Sequence, residues 1–238
     1  MDTIFKPIGL YLTVFLSIIL VGCGTTTGTR IDNIPMYGQP TIQRPDVLKR
    51  ADEDFIKQVS EGMGGREKAS QAWFFQGDKF MNERNFDFAM RRYNQSWLLN
   101  PNNYQPYWGF GRVMLQFGKF DEAIQHLEKS LTLIDDQFQK PALLSDTGSA
   151  YSVQASSLSN NQVQEKNRLF LLANKYFAES TTLDLTYGGN WRRWAMSLYE
   201  QEDYLGAWEK IKQARIHNAQ LFPPEFLRDL AQKMPEPK

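Results

Sequence analysis

The sequence predicts an all-α fold built from repeated helix–turn–helix units, and three observations support this prediction. The first is a period of 34 residues: the stretch from Ala72 reads AWFFQGDKFMNERNFDFAMRRYNQSWLLNP, and its landmark residues return one period later. The matching pairs are Trp73 with Tyr107, Gly77 with Gly111, Phe80 with Met114, Phe86 with Phe120, Ala89 with Ala123, Tyr93 with Leu127 and Ser96 with Ser130. A fixed period of this length is typical of stacked pairs of helices.

The second observation is that small residues recur at fixed places within the period. Gly77 and Gly111 would face the partner helix where no side chain fits, so that the two helices can approach closely. The third is composition, since 42% of the residues are hydrophobic and 23% are charged, which is sufficient for a packed core. Lys plus Arg and Asp plus Glu both number 27, and this balance argues against nucleic-acid binding, which needs a clustered basic surface.

The first unit runs from about Ser70 to Asn103 and the second from about Tyr104 to Gln137. Their landmarks resemble the tetratricopeptide repeat, and Pro101 stands where that pattern has its helix-ending proline. The resemblance implies a right-handed superhelix of helix–turn–helix repeats with a C-terminal capping helix. We assign residues 66–222 to this domain, with four repeats.

The third unit is stretched. Its landmarks are Leu144, Gly148 and Tyr151 in the first helix and Ala173, Phe177 and Thr181 in the second. The two groups are 13 residues further apart than in the first unit, and we expect the extra residues to lengthen both helices and a turn at Asn160-Asn161.

The fourth unit returns to the ordinary spacing. Its landmarks are Trp191, Ala195, Leu198, Tyr204, Ala207, Ile211 and Ala214. Residues 223–238 are expected to form a helix that starts at Pro223-Pro224 and covers the exposed end of the core, followed by a disordered tail.

Residues 1–22 carry Lys6 and an apolar run that ends directly at Cys23, the one cysteine of the chain. The run is shorter than a membrane span of about 20 residues and is typical of a signal peptide. The sequence LVGC at residues 20–23 resembles the bacterial lipobox, which implies that Cys23 is lipidated and becomes the mature N-terminus. The residue after the cysteine is Gly24 and not an aspartate, and in this the sequence resembles lipoproteins that are sent to the outer membrane. An uncleaved anchor and an ordinary secretory signal are the alternatives.

Residues 23–45 are expected to form a flexible tether, because a Gly/Thr run is followed by three prolines between residues 31 and 45, a part we expect to be extended and mobile. Residues 46–65 are predicted to form an N-terminal helix and a glycine hinge. This helix either caps the first repeat or lies in the groove of the superhelix, and the cap is favoured.

The sequence shows no catalytic constellation, and neither an enzyme activity nor a cofactor is expected. The two histidines, His126 and His217, have no second ligand at metal-binding spacing, and we expect both at the surface or the rim. The Asp121-Glu122 pair opens a predicted helix, where carboxylates are favoured by the helix dipole.

In tetratricopeptide proteins the ligand-binding groove is formed mainly by the first helix of each repeat. Carried over position by position, the resemblance gives Gln71, Phe74, Asp78, Met81, Gln105, Trp108, Arg112, Leu115, Ala142, Ser145, Ser149, Ser152, Gly189, Arg192, Met196 and Tyr199. The partner-binding residues that we predict among them are Phe74, Asp78, Trp108, Arg112, Leu115, Arg192, Met196 and Tyr199.

We expect Trp108 to be exposed in this groove, because Tyr107 already fills the packing position beside it, while Arg112 and Arg192 would pair with acidic groups of a partner. The other interpretation is that Phe74 and Trp108 pack against the neighbouring helix.

Together these features favour a membrane-anchored scaffold or adaptor that faces the periplasm and binds a protein or peptide of the cell envelope. Lipoproteins of similar organisation pilot a pilus secretin, dock peptidoglycan hydrolases or assist outer-membrane assembly, and the sequence does not choose among these roles. The alternatives are a structural envelope lipoprotein whose groove is filled by its own segment 46–62, and a component of a murein-active complex.

Overall fold

The computed structural model describes residues 30–217 and 222–238, and in these residues the fold is all-α, with no β-strand. The α-helices are α1 Asp46–Met63, α2 Arg66–Asn82, α3 Phe86–Leu99, α4 Tyr104–Gln116, α5 Phe120–Leu133, α6 Lys140–Ser157, α7 Val163–Leu183, α8 Gly188–Glu200, α9 Tyr204–Ile216 and α10 Pro224–Lys233. Two short 3-10 helices, Ile31–Asn33 and Pro35–Gly38, precede them. The signal peptide, Cys23 and the first part of the predicted tether lie outside the described residues.

The helices α2 to α9 form four consecutive pairs, in which each helix packs most extensively against its partner. Successive first helices also contact one another, α2 with α4, α4 with α6 and α6 with α8, whereas the second helices α3, α5 and α7 each pack between two first helices. The first helices therefore form an inner layer and the second helices an outer layer. The extra residues of the third pair lie in both of its helices, since α6 has 18 residues and α7 has 21.

Close packing within and between the pairs depends on glycines that face large side chains. A Cβ atom on Gly111 would lie 2.6 Å from Cγ of Leu127, and one on Gly109 would lie 2.6 Å from the ring of the fully buried Tyr93. Real Cβ atoms do not approach other atoms this closely, so the helices could not keep their separation with any larger residue.

A serine of each of the first three second helices binds a backbone carbonyl of its partner helix. The Oγ of Ser96 donates to the carbonyl of Ser70 at 2.8 Å, that of Ser130 to the carbonyl of Tyr104 at 2.8 Å and that of Ser180 to the carbonyl of Pro141 at 2.9 Å. The bonded residues are 26, 26 and 39 positions apart, so the third pair carries an excess of 13. The sequence assignment of Thr181 to this landmark was wrong by one residue, because Ser180 is the buried donor.

Residues 31–38 are not the extended tether that the prolines suggested. They form the two 3-10 helices, which pack on α3 around the fully buried Asn94. The Asn94 amide donates to the carbonyls of Asp32 and Ile34 at 2.9 Å each and accepts from the backbone N–H of Tyr37 at 3.3 Å. The Arg44 guanidinium lies 3.8 Å from the centre of the Tyr37 ring. This segment folds because a buried amide satisfies its backbone groups, which composition does not reveal.

The N-terminal helix α1 packs against α2 and α3, with the rings of Phe55 and Trp73 at 5.9 Å. At the other end of the chain, α10 covers the fourth pair through the buried Phe226 and Leu230, and Trp208 Nε1 donates to the Met234 carbonyl at 2.9 Å. Residues 235–238 have no regular secondary structure. The inner layer lies between these two ends.

Candidate functional site

Two adjoining cavities open on the inner layer, with Arg112 in the wall of both. Cavity I, of about 360 Å³, lies between α2, α4 and the loop that joins α5 to α6, and cavity II, of about 310 Å³, lies between α2, α4, α6 and α8. Side chains that line cavity I include Phe74, Phe75, Asp78, Trp108, Asp135 and Asp136. Side chains that line cavity II include Met81, Leu115, Asp146, Ser149, Val153 and Arg193.

An ion pair between α2 and α4 separates the two cavities. Arg112 Nη1 lies 2.8 Å from Asp78 Oδ1, and the same carboxylate oxygen accepts from the Tyr93 hydroxyl at 2.7 Å. Burial and the Asp78 charge both raise the pKa of Tyr93, so the hydroxyl remains a donor. Asp78 and Arg112 are 34 residues apart and therefore occupy the same position in successive units.

A second ion pair crosses the floor of cavity II between α6 and α8. Arg193 Nη2 lies 3.0 Å from Asp146 Oδ1, and the other carboxylate oxygen accepts from Trp108 Nε1 at 2.8 Å. Arg193 Nη1 also donates to the Tyr187 hydroxyl at 3.2 Å. The four first helices are thus linked in series by an ion pair between α2 and α4, the Trp108–Asp146 hydrogen bond between α4 and α6, and an ion pair between α6 and α8.

Two of the predicted partner-binding residues are buried. Trp108 retains 9% of its surface, with its indole nitrogen already bonded to Asp146, so the expectation of an exposed ring was wrong. The reason is that Trp108 packs into the core formed with α5, α6 and α7, beside the position of Tyr107. Phe74 is likewise buried, with its ring 5.6 Å from that of Tyr93. Both side chains line cavity I and expose little surface.

The predicted residues of the fourth unit are scattered. Arg192 is exposed, and within the described residues no ion pair or hydrogen bond includes its side chain, whereas Arg193 occupies the cavity. Met196 is 41% exposed, and Tyr199 packs against Phe226 of the capping helix at 5.5 Å. The prediction of Arg192 as a groove residue was therefore wrong by one residue.

The sequence analysis missed Phe75, Asp135, Asp136, Asp146 and Arg193 as site residues. A signal for the ion pairs was present, because each joins opposite charges at equivalent positions of neighbouring units. Asp146 and Arg193 are 47 residues apart, which is one period plus the 13 extra residues of the third unit. Asp135 and Asp136 lie in the loop after α5, outside the first-helix positions from which the groove residues were carried over.

The two histidines do not form a site. His126 is partly buried, with its ring 5.3 Å from that of Phe110, and burial lowers its pKa to about 4, so it is not a fully exposed surface residue. His217 stacks on Trp191 at 6.2 Å. Among residues 30–217 and 222–238, no group of three or more His, Cys, Asp or Glu side chains is placed to hold a metal ion. No helix in these same ranges is long and apolar enough to cross a bilayer.

Comparison of the chain with protein-family models gives no match, and comparison with curated proteins gives none either.

Proposed function

We propose that the chain is a tetratricopeptide-type right-handed superhelix that binds a segment of a protein partner along cavities I and II. The observation that carries this proposal is the inner layer itself, in which four first helices present two adjoining cavities of about 360 and 310 Å³ on one face. Concave surfaces made by successive repeats are suited to extended segments or helices of a partner.

The walls of these cavities combine apolar and polar groups in the way that binding grooves do. Phe75 is 57% exposed and Val153 is 48% exposed, so both offer apolar surface at the rims. The ion pairs beneath them hold the inner layer in one arrangement, which reduces the free energy lost to ordering when a partner binds.

The alternative of a groove filled by segment 46–62 is less well supported. Helix α1 contacts α2 and α3, and none of its residues lines cavity I or cavity II. The cavities are therefore open to a separate molecule.

We further propose that Cys23 carries lipid and anchors the protein in the outer membrane, with the helical domain facing the periplasm. The lipobox-like LVGC before Gly24 supports this location, and multiple acyl chains on one cysteine would give firm anchoring. Cys23→Ala should prevent incorporation of labelled palmitate and move the protein out of the membrane fraction. A variant that still incorporates palmitate and sediments with membranes would contradict the lipid anchor.

The binding proposal is tested by crosslinking in intact cells and identification of the captured proteins. Ser149→Arg fills cavity II from α6, Val153→Arg blocks its more exposed rim, and Gln125→Arg places the same side chain at an exposed position of α5 outside both cavities. We expect the two cavity variants to lose an envelope partner that the wild-type and Gln125→Arg proteins both capture. Identical capture by all four proteins would overturn the proposal.

The identity of a captured protein would also choose among the candidate roles. A pilus secretin, a peptidoglycan hydrolase or an outer-membrane assembly factor would each assign the protein to one of the three envelope processes. Capture of a murein-active complex would instead support the alternative in which the chain is a non-catalytic component of that complex.

A further inference from the structure

Cavity I differs from cavity II in the charge that remains after internal pairing. Among the residues that the structure describes, Arg112 is its only cationic lining residue, and the charge of Arg112 is already matched by Asp78 at 2.8 Å. Asp135 and Asp136 line the same cavity, and neither forms an ion pair with the described residues. The cavity therefore carries a net negative charge of two.

The two carboxylates are held differently. Asp136 Oδ1 accepts from the backbone N–H groups of Phe138 and Gln139 at 2.9 and 3.2 Å, which fixes the side chain at the start of α6. Asp135 is exposed. Burial, followed by the Asp136 and Asp135 charges, raises the pKa of Tyr104 to about 12, which is consistent with a negative potential at the cavity wall.

Aromatic rings line the same cavity as these carboxylates. Phe75 is 57% exposed at the rim, and Phe74, Tyr104 and Trp108 form the deeper wall. Aromatic faces attract a cation through the ring quadrupole, and arginine is the cation found most often in such contacts. Aliphatic segments of a long basic side chain also pack well against rings while the charged end reaches a carboxylate.

A polar side chain in the wall supplies a further observation. Gln105 is nine-tenths buried, and its Oε1 accepts from Asn103 Nδ2 at 3.3 Å. The side chain lines cavity I beside Tyr104, where its Nε2 can donate to a carbonyl of a bound peptide.

We propose that cavity I binds an arginine or lysine side chain of the partner, and that the partner segment is therefore basic. This inference rests on the proposed groove function and adds the chemistry of the ligand. It also reverses the sequence-based expectation of acidic groups on the partner, because Arg112 is paired within the chain.

The test uses two fluorescein-labelled amphipathic peptides of equal length, built from Leu and Gln with two Arg residues in one and citrulline in the other. Citrulline keeps the shape of arginine and removes its charge. Fluorescence anisotropy with the full chain should show at least tenfold tighter binding of the Arg peptide, with a loss of this preference at high salt. Equal binding of the two peptides, or binding of neither, would overturn the proposal.

Variants of single residues test whether the preference for the Arg peptide arises in cavity I. Asp135→Lys and Phe75→Ser change exposed side chains of the cavity and should each reduce the preference for the Arg peptide at least fivefold, whereas Asp229→Lys makes the same charge change on α10 and should leave it intact. An unchanged preference in the first two variants would overturn the assignment to cavity I. If Ser149→Arg abolishes capture in cells while Asp135→Lys and Phe75→Ser have no effect there, the groove function stands and the basic-ligand proposal fails.

Discussion

At the scale of single residues, the charges of the inner layer serve the structure before they serve a ligand. Arg112 and Asp78 are 24% and 28% exposed, and each is positioned by the other and by Tyr93. An ion pair that is largely removed from water contributes little net free energy, but removal of one partner leaves an uncompensated charge. Substitution of either residue therefore tests folding as well as binding.

We predict that Arg112→Met lowers the free energy of unfolding by about 2 kcal/mol, because Asp78 is left largely buried with only the Tyr93 hydroxyl as a donor. The Asp78→Asn/Arg112→Met double variant should be destabilised by about 1 kcal/mol less than the sum of the single variants. Urea unfolding followed by circular dichroism gives all three values. Strictly additive effects would show that the two side chains are not coupled.

His126 makes stability depend on pH. Burial lowers the pKa of its imidazole from 6.5 to about 4, so the unfolded chain binds a proton that the folded chain excludes between these values. Stability is therefore complete above about pH 6.5 and falls as the pH is lowered towards 4, by about 3 kcal/mol at most.

The His126→Phe variant should lose this part of the pH dependence, whereas His217→Gln should retain it. Thermal unfolding measured from pH 7.5 to pH 4 compares the three proteins. If the wild-type and His126→Phe profiles have the same shape across this range, the burial of His126 does not govern the acid sensitivity.

The spacing of residues predicts some contacts of the site and not others. Asp78 and Arg112 share one repeat position, so their proximity follows from the period. The burial of Trp108 does not follow, because Tyr107 and Trp108 are adjacent and the helix orientation decides which ring enters which part of the core. The same holds for Arg192 and Arg193. The two arginines are adjacent, and the orientation of α8 decides which of them is exposed and which pairs with Asp146.

At the scale of helices, three of the four pairs share the same short turn. Three residues join the helices of the first, second and fourth pairs, and the middle residue has φ of 57° at Arg84, 69° at Gly118 and 61° at Glu202. Only glycine adopts this left-handed conformation without a steric cost from Cβ. The repeat thus requires a positive φ at the middle of this turn. Glycine occupies that position in the second pair, whereas Arg84 and Glu202 occupy it in the first and fourth pairs.

Glu202→Gly should raise the free energy of unfolding by about 0.5–1 kcal/mol, because it relieves the strain at a positive φ. Gly118→Ala should lower it by about 1 kcal/mol for the opposite reason. Chemical denaturation of both variants tests the pair. Destabilisation by Glu202→Gly would mean that the strain relieved in the folded state is smaller than the entropy gained by the unfolded chain.

The helix pairs could be predicted from the sequence because large and small residues repeat at a fixed spacing. The docking of residues 31–38 could not, since it depends on the single buried amide of Asn94, which satisfies the backbone of a segment far away in sequence. Proline content favoured an extended tether, and this specific hydrogen bonding overrides it. The lining of cavity I could not be predicted in full either, because Asp135 and Asp136 lie in a loop and not in the first helices from which the groove residues were carried over.

At the scale of the whole molecule, each helix pair contacts its neighbours in sequence and few others. Stability in such an array is approximately the sum of the pairs and the interfaces between them, so the two ends can open independently. The N-terminal end is covered by residues 31–38 and α1, and the C-terminal end by α10.

Removal of the segment that covers either end should therefore increase local unfolding in the adjacent helix pair only. A chain that begins at residue 46 loses the segment that completes Asn94, and we expect faster amide hydrogen exchange in α2 and α3 with little change in α8 and α9. A chain that ends at residue 217 exposes Trp208 and Ile211 and should show the reverse pattern. Hydrogen exchange read by mass spectrometry compares both with the full chain, and a uniform rise in exchange across all helices would show that the protein unfolds as one cooperative unit.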